Sequence, residues 1–143
     1  MAQSPQLKQS SPTSPDPQDF RLDATPAMRA DNVVSGEHWR IGLITDSLVR
    51  FEWSDSGVFE NRPTQTVLNR DFGSPVERRV TERDGRVIID TAALTIVYDQ
   101  QPFSKEGLSV VVKGVADTQF NTWHYGDEPK HNLKGTAVSY THL

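Results

Sequence analysis

The residues best suited to chemistry lie near the end of the chain, in the stretch from Trp123 to Glu128 and in Asn132 to Thr136 just after it. Sugar-binding sites combine aromatic faces, which stack on C–H surfaces, with carboxylates and amides, which bond to hydroxyl groups. Both kinds of group occur here. We therefore take Trp123, Asp127 and Asn132 as candidate substrate-proximal residues. The alternative is an ordinary loop whose aromatic residues only pack.

A second polar stretch, Arg62 to Gln65, offers an arginine and an amide that could face a sugar. Pro63 fixes a turn there, and Glu60 and Asp71 are nearby carboxylates for Arg62. Ion pairing is the commoner use of such an arginine. The sequence therefore favours a structural loop at this position.

The histidines give no sign of a metal site. The chain has four of them and no cysteine, which excludes disulfides and thiolate chemistry. His124 and His131 are seven residues apart, without the cysteine or carboxylate pattern of a metal centre. We expect no bound metal and no cofactor.

Alternating apolar and polar residues predict the strands that must position these groups. In Val49 to Trp53 the apolar side chains share one face, which is the pattern of a half-buried strand. It follows Trp39 to Ile44 through a turn at Thr45 to Ser47. Asp84-Gly85 predicts a second hairpin. Further strands are predicted at 31–35, 76–82, 86–90, 94–98 and 108–112. Short strands separated by turn residues are typical of an all-β fold, an antiparallel β-sandwich.

Composition excludes several functional classes. The 15 lysines and arginines are outnumbered by 19 carboxylates, for a net charge of -4, so a nucleic-acid partner is not expected. No apolar run is long enough to span a membrane, and no secretory signal is present, so we expect a cytoplasmic protein. Residues 1–27 are rich in proline and serine and predict a disordered leader.

Two segments have a distinctive sequence: I-T-D-S-L-V-R-F-E-W-S from Ile44 to Ser54, and F-E-N-R-P-T-Q-T-V-L-N-R-D-F from Phe59 to Phe72. They resemble the N-terminal domain of glycoside hydrolase family 31, the α-glucosidase and α-xylosidase family, with Trp53 in place of the usual tyrosine. The resemblance resumes in shorter pieces at 94–98, 102–104, 107–110 and 132–136. It implies that residues 28–137 form part of a galactose-mutarotase-like sandwich.

The resemblance also implies what the parent enzyme does. Family 31 enzymes hydrolyse α-glycosidic bonds with retention, through two aspartates on a (β/α)8 barrel. A barrel alone takes about 250 residues, so this 143-residue chain reads as a fragment that ends before it. The family's nucleophile motif is missing here, and we expect no catalytic residue and no hydrolysis by the fragment. Its expected partners are its own barrel and an α-linked oligosaccharide or glucoside. Residues 138–143 depart from the family pattern and read as a non-native tail.

A rival interpretation needs no barrel. A free-standing carbohydrate-binding β-sandwich module would also combine short strands with an aromatic and acidic loop. An in-frame barrel downstream would support the hydrolase, and a true stop after a completed sandwich would support the module.

Overall fold

The computed structural model describes residues 24–64, 67–115 and 121–128. This part of the chain forms eight strands and one short 3-10 turn, Ala30–Asn32. The strands are β1 (Val33–Ser35), β2 (Trp39–Leu43), β3 (Val49–Trp53), β4 (Arg79–Arg83), β5 (Arg86–Asp90), β6 (Leu94–Tyr98), β7 (Leu108–Val112) and β8 (Thr122–His124). Every strand pairing is antiparallel. The predicted all-β fold is confirmed.

The first sheet has three strands in the order β1-β2-β3. Its central hairpin joins the two predicted strands, with Trp39 opposite Trp53 and Leu43 opposite Val49. The Thr45 hydroxyl closes the turn by accepting the backbone N–H of Leu48 at 2.9 Å. The strand predicted at 31–35 is shorter than expected, because its first residues belong to the 3-10 turn.

The second sheet has five strands in the order β4-β5-β6-β7-β8, each beside the next along the chain. The predicted Asp84-Gly85 turn joins β4 to β5, and both residues have positive φ, 53° and 73°, as a two-residue hairpin turn of this kind requires. The strand predicted from Val76 begins instead at Arg79. Val76 is held elsewhere, since its N–H donates to the Asn32 side chain at 2.7 Å.

The core lies between the two sheets. Its buried members are the inward side chains of β2, β5, β6 and β7: Trp39, Ile41, Leu43, Val87, Ile89, Leu94, Ile96, Tyr98, Leu108 and Val110. Trp39 meets Tyr98 edge to face, with ring centroids 5.3 Å apart. Burial raises the pKa of Tyr98 to about 12, and its hydroxyl donates to the Gln101 carbonyl at 2.5 Å. The two sheets therefore form a β-sandwich.

Contacts with the sandwich begin within the stretch predicted as a leader. The Thr25 N–H donates to Asn69 Oδ1 at 2.8 Å, and the Thr25 carbonyl accepts the Arg70 N–H at 2.7 Å. Residues 1–23 and the 138–143 tail lie outside the described residues. Within the described part, no helix has the length and apolar character needed to cross a membrane.

Candidate functional site

Trp123 lies on a strand and not, as predicted, in a loop. It is the middle residue of β8, opposite Val110 of β7, and so points toward the space between the sheets. Its indole stacks on Phe51 of β3, with ring centroids 6.4 Å apart and planes inclined by 15°. Because β8 is the edge of its sheet, the indole remains 39% exposed.

Tyr125 adds a second exposed aromatic ring to this surface. Its ring is 43% exposed and meets Trp123 nearly perpendicularly, at 6.5 Å and 81°. On its other side it packs on Phe103, at 5.5 Å. The backbone N–H of Tyr125 donates to the Leu108 carbonyl, which anchors it to β7. We call the exposed pair Trp123 and Tyr125 the aromatic rim.

An apolar groove of about 300 Å³ runs beside the aromatic rim. It is lined by Ser47, Leu48, Val49, Phe51, Leu94, Val110 and Trp123. The Ser47 hydroxyl and the Trp123 indole N–H are the polar side-chain groups of this lining, so the groove has little capacity to bond to hydroxyl groups. The rim and groove together present aromatic and aliphatic surface on the side of the sandwich where β3 and β8 approach each other.

Asp127 holds the turn after β8. Its Oδ2 accepts the His124 N–H at 2.8 Å, and its Oδ1 lies 3.1 Å from Lys105 Nζ. The bond from the His124 backbone and the Lys105 ammonium keep the pKa of Asp127 below its usual value. Gly126, with φ of 83°, allows the tight turn that brings the carboxylate back to His124.

The structure therefore places two of the three candidate residues, Trp123 and Asp127, in different surroundings. His124 and Trp123 are neighbours on one strand and point to opposite faces, and Asp127 contacts His124 and Lys105. The indole instead belongs with Tyr125 and Phe51. The third candidate, Asn132, lies outside the described residues.

The ion pair predicted for Arg62 is present. Arg62 Nη2 lies 2.7 Å from Glu60 Oε2 and its backbone N–H donates to Glu60 Oε1. These bonds lower the pKa of Glu60 to about 2. The Arg62 side chain is 84% exposed. The structural interpretation of this loop accounts for Arg62, and Gln65 lies outside the described residues.

A polar cluster that the sequence did not predict covers the outer face of the first sheet, the face turned away from the second sheet. Glu52 lies between Arg40, whose Nε donates to it at 2.6 Å, and Arg50, whose Nε lies 3.1 Å away. Burial acts to raise the pKa of Glu52, but the hydrogen bonds from the two arginines outweigh it and the net pKa is lowered.

Arg70 is the fully buried member of this cluster, with 0% exposure. Its guanidinium donates to the carbonyl oxygens of Glu60, at 3.2 Å, and Arg62, at 2.7 Å. Its Nε has no partner among the described residues. Burial, aided by repulsion from Arg50, lowers the pKa of Arg70. The guanidinium thus ties together the two parts of the segment 59–64 and 67–70, which we call the strap. Arg40 of β2 bonds the strap to the sheet, through the Asn61 side chain and the Glu60 carbonyl.

The remaining acids do not assemble into a metal centre. Among the described residues, no group of three or more histidine or acidic side chains could hold a metal ion. His131 lies outside them. Each described carboxyl group with a clear pKa shift is shifted downward: Asp31, Glu52, Glu60, Asp90 and Asp127. These groups favour the charged form, as partners of arginine, lysine, hydroxyl or backbone groups.

The two segments that resemble family 31 contain β3 with its preceding turn and the strap. Arg40 of β2 bonds the strap to the same sheet. Comparison with known proteins adds no relative: no protein-family model matches the chain, and no curated protein matches it. The resemblance to family 31 therefore rests on the sequence of those segments alone.

Proposed function

We propose that the chain is the N-terminal, galactose-mutarotase-like sandwich of a family 31 glycoside hydrolase, and that its aromatic rim contacts the α-linked substrate beside the parent's barrel. The observation that carries this proposal is the exposed Trp123–Tyr125 pair, fixed from beneath by Phe51 and Phe103. A rigid aromatic surface stacks on a sugar's C–H face with little loss of side-chain freedom.

The charge state of the acids supports a non-catalytic role for this domain. A general acid in a glycosidase needs a carboxyl group whose pKa is raised, so that it carries a proton at neutral pH. The clear shifts among the described carboxyl groups are all in the opposite direction. We assign the chemistry to two aspartates of the parent's barrel.

Within this proposal the rim residues and Asp127 have different tasks. Trp123 and Tyr125 contact the sugar directly. Asp127 acts through the turn, because both of its oxygens already bond to His124 or Lys105. Its contribution is to hold Tyr125 and Gly126 in place.

Titration of the purified chain with maltotriose, followed by ligand-observed NMR, tests the rim. We expect saturation transfer to the sugar, and we expect Trp123→Ala to abolish it. Phe72→Ala is the matched control, since Phe72 is also an exposed aromatic residue but lies away from the rim. Equal transfer in the chain and in Trp123→Ala would refute sugar contact at the rim.

In an enzyme that carries both this domain and the barrel, Trp123→Ala should raise KM more than it lowers kcat, because stacking contributes binding in the ground state and in the transition state alike. An unchanged KM would separate the rim from the substrate even if the family assignment holds.

The free-standing carbohydrate-binding module is the second candidate. One observation favours it: the two sheets share a single buried core, and the rim is assembled from this chain alone. Coding sequence downstream separates the two functions. An in-frame barrel with a nucleophile motif supports the hydrolase, whereas maltotriose binding by a protein without a barrel supports the module.

A further inference from the structure

The free edge of β3 has a sequence that is complementary to itself. β3 is the last strand of its sheet, and in the described part of the chain it pairs with β2 alone. Its five residues read Val-Arg-Phe-Glu-Trp, with opposite charges placed symmetrically about Phe51. An unpaired edge of this kind is a template for a further strand.

The hydrogen bonds of the hairpin show which backbone groups face that edge. Ser54 N–H donates to the His38 carbonyl and Ile44 N–H to the Leu48 carbonyl. Bonded pairs alternate along an antiparallel ladder, so Arg50 and Glu52 also direct their backbone groups to β2. The N–H and C=O groups of Val49, Phe51 and Trp53 consequently point away from β2, toward the free edge.

We propose that this edge pairs with the β3 edge of a second copy of the chain, antiparallel and about a two-fold axis at Phe51. In that register Phe51 bonds to Phe51 of the second copy, and Val49 bonds to its Trp53. All the outward backbone groups of β3 then have partners. The two first sheets become one continuous sheet across an isologous interface.

The side chains favour this register over the registers in which the two-fold axis lies one residue away. With the axis at Phe51, Arg50 lies opposite Glu52 of the second copy in a non-hydrogen-bonded pair, where side chains approach most closely. An axis at Arg50 or at Glu52 would place like charges opposite each other, which is destabilising. On the inner face the same register aligns the apolar side chains of Val49, Phe51 and Trp53.

The charges at this edge are well placed to act between copies. The side chains of Arg50 and Glu52 are only 25% and 10% exposed, so salt screens them less than it screens a surface pair. Arg50 Nε lies 3.1 Å from its own Glu52. The guanidinium has further donors, which face the partner's Glu52 in the paired register.

Sedimentation velocity of the full chain over a range of concentrations tests the interface. We expect a concentration-dependent dimer. Arg50→Glu should weaken it about tenfold or more, because two symmetry-related attractive pairs become repulsive. Arg50→Lys should keep it, and Arg79→Glu, the same reversal on the edge strand β4, should leave it unchanged. A monomer at every concentration, or equal weakening by Arg79→Glu, would overturn the proposal.

A cysteine scan gives a second test that holds even if Arg50→Glu fails to fold. The chain has no cysteine, so a single introduced thiol reports on one position. Bonded antiparallel pairs have Cα atoms about 5.5 Å apart, which suits a disulfide. Phe51→Cys should therefore form a covalent dimer under mild oxidation, well ahead of Val80→Cys on β4. Equal rates at the two positions would refute the two-fold register.

The two proposals have separate tests, although Phe51 of the paired edge also packs on Trp123 of the rim. Trp123→Ala should remove maltotriose binding and leave the dimer intact. Arg50→Glu should do the reverse. An unaltered chain that forms the dimer but does not bind maltotriose would contradict the sugar contact alone, and one that binds maltotriose but stays monomeric would contradict the interface alone.

Discussion

Replacing Arg70 by methionine should loosen the strap on the outer face of the first sheet. Arg70 is fully buried, and its guanidinium supplies hydrogen bonds to the backbone carbonyls of Glu60 and Arg62. Methionine is similar in length and apolar, so it fills much of the volume and removes both donors. The Arg62 carbonyl must then find water, which requires the strap to open, whereas the Glu60 carbonyl keeps its bond from Arg40.

The expected loss of stability is the contribution of the lost hydrogen bonds minus the unfavourable interactions that the substitution removes. Two hydrogen bonds from a charged donor contribute about 3 to 6 kcal/mol together. The substitution also removes a buried, unpartnered Nε and the repulsion from Arg50, which returns roughly 1 to 3 kcal/mol. We therefore expect Arg70→Met to lower the free energy of unfolding by about 2 to 3 kcal/mol.

Urea denaturation measures this loss, and amide hydrogen exchange locates it. The Thr64 N–H, which bonds to the Val67 carbonyl, should lose protection in Arg70→Met, while amides of β6 keep theirs until global unfolding. Arg62→Ala is the matched control, because that arginine is exposed and pairs only at the surface. Its stability should be close to that of the unaltered chain. An Arg70→Met protein of unchanged stability, with Thr64 still protected, would refute the reasoning.

Glu52→Gln should reduce the loss of stability at low pH. Because the pKa of Glu52 is lowered in the folded chain, the stability that this group contributes is present above its ordinary pKa of 4.5 and is lost as the pH falls through the folded-state pKa. A variant whose stability falls with pH as steeply as that of the unaltered chain would contradict this. Gly85→Ala should cost about 1 to 2 kcal/mol by thermal melting, because φ there is 73°, and a Tm equal to that of the unaltered chain would show that the turn can relax. The chain alone should not hydrolyse p-nitrophenyl α-glucoside; turnover that survives purification and is lost on changing one of its acids would overturn the non-catalytic role.

Local patterns in the sequence predicted much of the fold. In the strands predicted at 86–90 and 94–98, alternate residues are apolar, and five of them are buried: Val87, Ile89, Leu94, Ile96 and Tyr98. Such patterns work because the pleat directs successive side chains to opposite faces whatever the rest of the chain does. The Asp84-Gly85 turn was equally predictable, since few residue pairs adopt positive φ at both positions.

The candidate site was predicted in composition but not in arrangement. The sequence pointed to an aromatic and acidic stretch, and the exposed rim lies within it. Its first residues form β8, a strand of three residues that is too short for alternation to reveal. Being on a strand, Trp123 is directed away from His124, the residue that Asp127 holds. The contact between Trp123 and Phe51 joins residues far apart in sequence, and no local pattern reports it.

The sequence by itself determined the approximate positions of β1 to β7, which of their side chains face inward, and that Arg62 pairs with a neighbouring acid. These are properties of residues a few positions apart. Only the tertiary structure decided that Arg70, beside Asp71 in a polar stretch, is buried, because its burial depends on a strap folding back over a sheet built from residues 33–53. The tertiary structure likewise decided that β3 is an edge strand, since strand order depends on distant pairings that intrinsic preferences do not encode.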